Sequence, residues 1–263
     1  VMQDRVTASS IGLVFFLSIL HLSACVVLEQ LQEPSTKASA PVDHGDFIEG
    51  NYWALIIGID KYSNLDKEKQ LTVAKKDTEA IAALLVERYG FQKEQMIELY
   101  DEKATRKEII KAFSSMTELL SGKDSLFIYY AGHGDAAVHV GKQQKEKMDR
   151  RSYWLPFDAT PDDPSSFIFD SEVVGFIEDI PARHIYLVVD ADFHTKMGRN
   201  RALGIGAIKE LYREKSRWAL VSGGLYPVPD TADKNKNGHS VFAWKLMKIL
   251  RQNTQPNLMA KDI

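Results

Sequence analysis

The stretch Ile185-Tyr186-Leu187-Val188-Val189-Asp190-Ala191-Asp192-Phe193-His194 opens with five consecutive apolar residues and then breaks abruptly into acidic and small ones. An unbroken apolar run of this length, rich in β-branched and aromatic side chains, reads as a strand buried on both faces inside a parallel sheet. A second stretch is built the same way: Ser125-Leu126-Phe127-Ile128-Tyr129-Tyr130 runs into Ala131-Gly132-His133-Gly134. Two buried strands that each end in a short polar tip predict one site at the carboxyl edge of a parallel sheet, where open α/β folds hold their ligands.

Working outward, Tyr52 to Ile59 predicts a buried first strand that closes in the turn Asp60-Lys61-Tyr62-Ser63-Asn64. Val73, Ala74, Ile81, Leu84 and Leu85 fit helical spacing as far as Tyr89, and Gly90 is placed to end that helix. Met96 to Tyr100 predicts a short second strand. Thr105 caps a helix whose apolar face is Ile109, Ile110, Phe113, Met116, Leu119 and Leu120. After a polar excursion over 135–151, Tyr153-Trp154-Leu155-Pro156 reads as an edge segment, because proline cannot donate to a central ladder. Asp170 or Ser171 caps a short helix that Pro181 breaks, Arg217 to Ser222 forms a further strand, and Ser240 caps a last amphipathic helix. This alternation predicts the α/β class: a three-layer sandwich with a mostly parallel sheet of about six strands and helices on both faces.

The 263 residues are 44% hydrophobic and 26% charged, enough for one sizeable core. The 33 Lys+Arg are scattered among 36 Asp+Glu, and the lysines of Lys142 to Lys147 are interrupted by Glu146 and glutamines, so no basic stripe predicts nucleic acid as a partner. The single cysteine, Cys25, rules out an intrachain disulfide.

Arg5 precedes an apolar run from Ile11 to Leu20, too short to span a bilayer as a helix but the length of a signal-peptide core, and the run leads to Leu22-Ser23-Ala24-Cys25. These four residues resemble the lipobox of bacterial lipoproteins. That resemblance implies cleavage before Cys25, a diacylglyceryl group on its thiol, and a membrane-anchored protein of the cell envelope. A generic secretory signal with a chance cysteine is the alternative. The expected organisation is a signal peptide over 1–24, a tether over 25–50 rich in proline and small polar residues, one domain over 51–253 and a tail over 254–263.

Five motifs in order carry a further resemblance: Trp53-Ala54-Leu55-Ile56-Ile57-Gly58-Ile59, Tyr129 to Gly134, Tyr153-Trp154-Leu155-Pro156-Phe157-Asp158, Val188-Val189-Asp190-Ala191, and Asn237-Gly238-His239-Ser240-Val241-Phe242. Together they resemble bacterial caspase-like peptidases, of the clan that includes caspases and metacaspases, over roughly residues 52 to 251. The family's dyad is a histidine after the third strand and a cysteine in the loop after the fourth. A thiolate attacks the peptide carbonyl while the imidazole raises the thiolate fraction and protonates the leaving amine.

His133 matches the histidine, but the cysteine position is Asp192. Cys25 lies in the signal region and cannot substitute. A carboxylate is a weak nucleophile toward an amide. The resemblance also places the oxyanion donors at the backbone of Gly134 and Asp192, where a carboxylate side chain would compete for them. If Asp192 instead faces His133, an ion pair would hold the imidazole protonated, and a protonated imidazole is no general base. His194 is unusual at its position as well.

By the same resemblance Asp190 lines a pocket for an Arg or Lys side chain, and Asp60 adds charge to it. The local alternatives are that Asp190 satisfies backbone N–H groups at the strand end and that Asp60 makes an Asx turn. The expected partner is a peptide or protein carrying Arg or Lys, bound without cleavage. An active endopeptidase or other hydrolase, and an assembly module with a vestigial cleft, stand as alternatives.

No cofactor is expected. Asp233 to Gly238 begins like a calcium loop, but its twelfth position is Trp244, so a polar turn is the reading, and the histidines show no metal-ligand spacing.

Overall fold

A computed structural model of the chain describes residues 50–135, 152–191, 215–222 and 238–254. The expected signal peptide, Cys25 and tether lie outside these residues, as do Asp192, His194, the 142–147 lysines, the 233–237 turn and the tail beyond Thr254.

The apolar runs form the strands that their composition predicts. β1 (Tyr52–Gly58), β2 (Met96–Tyr100), β3 (Ser125–Ala131), β7 (His184–Asp190) and β8 (Ser216–Val221) make one sheet in the order β2-β1-β3-β7-β8. Every pair in it is parallel. Among the described residues this sheet has five strands, where about six were expected.

Parallel strands need crossovers, and these put helices on both faces. Successive strand residues therefore enter opposite cores. Leu55, Ile57, Ile128, Tyr130, Ile185 and Val189 pack with α2 (Arg106–Leu119) and α3 (Asp170–Asp179). Ala54, Ile56, Phe127, Tyr129 and Val188 pack with α1 (Ala74–Tyr89) and α4 (Val241–Gln252). The close fit of α1 on β1 depends on Gly58, where a Cβ would lie 2.1 Å from Thr78 Oγ1.

The helix boundaries follow local chemistry. Gly90 ends α1 in the left-handed region at φ 73°. Thr105 Oγ1 accepts from Glu108 N–H at 3.3 Å, and Ser240 Oγ accepts from Ala243 N–H at 3.0 Å. Two expectations need correction. The N-cap of α3 is Phe169 rather than Asp170 or Ser171, because Glu172 at the third helical position reaches back to accept from Phe169 N–H at 3.0 Å. On α2, Leu119 is 54% exposed, since Ile109, Phe113, Met116 and Leu120 already fill the buried stripe.

A third correction concerns the 153–156 segment. Tyr153–Trp154 is β5, the middle strand of a separate three-stranded antiparallel sheet between β4 (Gly134–Asp135) and β6 (Ile168–Phe169). Pro156 falls past the strand's end and so does not restrict the ladder. Trp154 anchors this small sheet to the main core by stacking on Tyr130, with ring centroids 4.3 Å apart.

At the amino edge, one residue, Asp124, ties three segments together. Asp124 Oδ1 accepts from Asn51 N–H at 2.7 Å, Oδ2 accepts from Ser121 N–H and Oγ at 2.7 Å each, and the Asp124 carbonyl accepts from Arg183 N–H at 2.8 Å. Burial pushes this carboxyl up, but the donors from Asn51 and Ser121 outweigh it and hold its pKa below the ordinary value. A depressed folded pKa contributes stability that is complete above the ordinary carboxylate value of about 3.9 and is lost as pH falls through the lower folded value. Asp124→Asn should therefore cost about 1–3 kcal/mol in urea unfolding at pH 7. The deficit should shrink as the pH falls below 4.

Candidate functional site

The register of the main sheet sets Gly58, Ala131 and Asp190 abreast at its carboxyl edge. Ile59 N–H donates to Ala131 O at 3.0 Å and Gly132 N–H donates to Asp190 O at 3.3 Å, so the loops after β1, β3 and β7 leave this edge side by side. Ser222, after β8, joins them by donating from Oγ to Ala191 O at 3.1 Å. The description of the β7 loop ends at Ala191, one residue before Asp192.

His133 is held at each of its polar backbone groups. Its N–H donates to Tyr62 Oη at 2.7 Å. Its carbonyl accepts from Tyr130 Oη at 2.6 Å and from Leu155 N–H at 3.0 Å. Burial pushes the hydroxyls of both tyrosines far above their ordinary pKa, so they remain protonated. Gly132 is required between them, because a Cβ there would lie 2.8 Å from each tyrosine oxygen.

The imidazole is fixed too. Nε2 lies 2.6 Å from the carbonyl oxygen of Lys69, and the Tyr62 ring lies 5.0 Å away, tilted by 40°. A carbonyl oxygen only accepts, so Nε2 carries the proton and Nδ1 holds the lone pair when the ring is neutral. The fold thus presents a histidine with an assigned basic nitrogen. Gly134, the expected oxyanion donor, opens β4 opposite Trp154.

Asp190 points toward the face covered by α1 and α4, where its Oδ2 accepts from Ser240 Oγ at 2.8 Å. The same serine caps α4, so the expected pocket carboxylate is joined to a helix terminus. Beside it, Asp77 is fully buried. Its Oδ1 accepts from His239 Nδ1 at 2.5 Å and its Oδ2 accepts from Ser240 N–H at 3.0 Å. Tyr129 Oη is buried near both carboxylates without a well-directed hydrogen bond. Burial first, then the charges of Asp190 and Asp77, push its pKa well up.

Asp60 supplies the cap that α1 lacks, its Oδ1 accepting from Ala74 N–H at 2.8 Å. Its own N–H donates to Asp101 Oδ1 at 2.9 Å. Both Asp60 and Asp190 therefore have local work at the sheet edge, and the edge collects four carboxylates, Asp60, Asp77, Asp101 and Asp190. Among the described residues no group of three or more His, Cys, Asp or Glu is arranged to hold a metal ion.

Sequence reading missed Tyr62, Lys69 and Asp77. Asp77 left a signal, since it stands in the buried stripe of α1 between Ala74 and Ile81, where an acid needs a donor inside the core. Tyr62 and Lys69 left none, because their partner lies more than sixty residues away in the chain.

A family model described as Caspase domain matches residues 51–262. Metacaspase-1 of Eremothecium gossypii is 27% identical over 130 residues, covering 47% of this chain and 27% of that protein. Metacaspase-1A of Neurospora crassa is 29% identical over 114 residues, covering 41% and 24% respectively. The aligned part of this chain spans about a quarter of the length of these relatives.

The Gly132 clamp predicts coupled substitutions. Gly132→Ala should cost about 1–3 kcal/mol through overpacking against the two hydroxyls. Tyr62→Phe should cost about 1 kcal/mol by removing the acceptor for His133 N–H. Because Tyr62→Phe also removes one of the colliding oxygens, Gly132→Ala should cost less in that background than alone. Urea unfolding of the two single variants and the double variant measures this; strictly additive costs would contradict the clamp.

Proposed function

The chain belongs to the caspase domain family, and on that premise we propose that it binds peptide or protein partners at the carboxyl edge between the His133 loop and Asp190 without cleaving them. The observation that carries this reading is Asp192, which stands where the family resemblance places the nucleophilic cysteine, while the only cysteine of the chain is Cys25. Peptide cleavage by this route needs a sulfur to form the thioester and an imidazole to pass its proton to the leaving amine. In this reading His133 supplies the second part, with Nδ1 as the basic nitrogen. The first is replaced by a group that is already anionic, weakly nucleophilic toward amides and unable to give the imidazole a thiol proton.

The half-buried carboxylate of Asp190 at the sheet edge supports a cationic ligand, an Arg or Lys side chain of the bound peptide. A second reading, hydrolysis that uses Asp192 and His133 together, draws on the same well-held histidine.

One set of variants separates the two. Asp192→Cys should create His133-dependent cleavage after Arg or Lys in peptides that the unaltered protein leaves intact. Cleavage by the unaltered protein that disappears in Asp192→Ala would establish the hydrolase instead. Binding of a fluorescent Arg-containing peptide, read by anisotropy, should weaken about tenfold in Asp190→Asn, the equivalent of 1.4 kcal/mol. Attachment to the cell envelope through Cys25 belongs to the same proposal. Metabolic fatty-acid labelling of the full chain should be lost in Cys25→Ala.

A further inference from the structure

His133 receives two contacts from the segment after β1: the Lys69 carbonyl on its ring and the Tyr62 hydroxyl on its backbone N–H. Neither accepting residue stands in a regular element with a ladder to hold it. Lys69 ends a single 3-10 turn, Lys67–Lys69, and Tyr62 stands in the turn before it. What joins the two arms is the side chain of Gln70. Its Oε1 accepts from Tyr62 N–H at 2.7 Å, and its Nε2 donates to Tyr62 O at 3.1 Å, so the carboxamide pairs with both backbone groups of that one residue. Nε2 also donates to Leu65 O at 2.9 Å, closing the turn between them. Gln70 is bonded to Lys69 by the peptide whose oxygen receives the imidazole proton, and its own N–H donates to Lys67 O at 3.3 Å, which orients that peptide plane.

The geometry points to Gln70 as the positioning residue for His133: without touching the imidazole, its carboxamide sets the Lys69 carbonyl and Tyr62 together, and so fixes the Nε2–H tautomer and leaves Nδ1 as the basic nitrogen. The role needs an amide, because one end must accept from an N–H while the other donates to carbonyls. A carboxylate of the same shape would face the oxygens of Tyr62 and Leu65 with no proton to give. The inference holds whether or not the chain cleaves peptides, since it concerns the histidine alone.

Proton–nitrogen correlation spectra of the histidine rings show directly which nitrogen carries the proton. They are recorded on the full chain at the alkaline end of a pH series, where the ring signals no longer change with pH. The His133 signals are those missing from His133→Gln. In the unaltered protein His133 should appear as a single Nε2–H tautomer. In Gln70→Glu and Gln70→Met, which keep the length of the side chain, the two ring nitrogens should move toward a common averaged position as both tautomers become populated. Asp124→Asn, which loosens the opposite edge of the sheet, should leave them unmoved, so a general loss of stability is distinguished from a loss of positioning. An undiminished Nε2–H tautomer in either folded Gln70 variant, or equal averaging in Asp124→Asn, overturns the assignment.

Discussion

The structure depends on the double pairing of β3. All seven of its residues are in register with β1 on one side and β7 on the other, both parallel. Its side chains from Leu126 to Ala131 are buried on both faces. A parallel central strand forces each neighbouring connection to cross over a face of the sheet, and this places α1 with α4 on one side and α2 with α3 on the other. It also forces the ends of β1, β3 and β7 to one edge. The position of His133 beside the β7 loop is therefore a consequence of sheet pairing before any side chain at the edge is considered.

The edge then makes its own demands. Three loops must leave side by side, and their backbone groups have no ladder left to satisfy them. Tyrosine hydroxyls and carboxylates take over this work. Tyr62 and Tyr130 serve the His133 backbone, Asp101 serves the N–H of Asp60, and Asp60 serves the first N–H of α1. The imidazole is held by a backbone carbonyl, so its orientation comes from the fold and does not require a catalytic partner across the edge.

Much of this was legible in the residues. Long apolar runs such as 125–130 and 185–189 specify buried parallel strands almost by themselves, and Thr105, Gly90 and Ser240 mark helix ends through local bonds that need no tertiary context. The place of His133 at a strand tip followed from the break in the apolar run. The misses share a physical cause, which is dependence on a distant partner. The N-terminus of α1 could not be assigned a cap because Asp60, fourteen residues earlier, provides it. Tyr153–Trp154 looked peripheral because nothing in its own sequence shows the two short strands that flank it. Asp190 was read as a pocket residue or a strand-end acceptor, and its hydroxyl donor, Ser240, lies fifty residues further on.

The bond between Asp77 and the 239–240 backbone and side chain spans 162 and 163 residues of sequence. It is reinforced by Tyr89 Oη on Leu250 O, 161 residues apart, and by Arg88 on Asn253 O, 165 apart. Among the described residues, the first α-helix is thus completed by the last. Until α4 docks, the Asp77 carboxylate lacks its donors from His239 and Ser240, and the side of α1 that α4 covers stays open to water. Closing so long a loop is entropically slow. A chain emerging from the ribosome can pair β1, β2 and β3 while it grows, but its α1 is covered only after α4, more than 150 residues later, has been made.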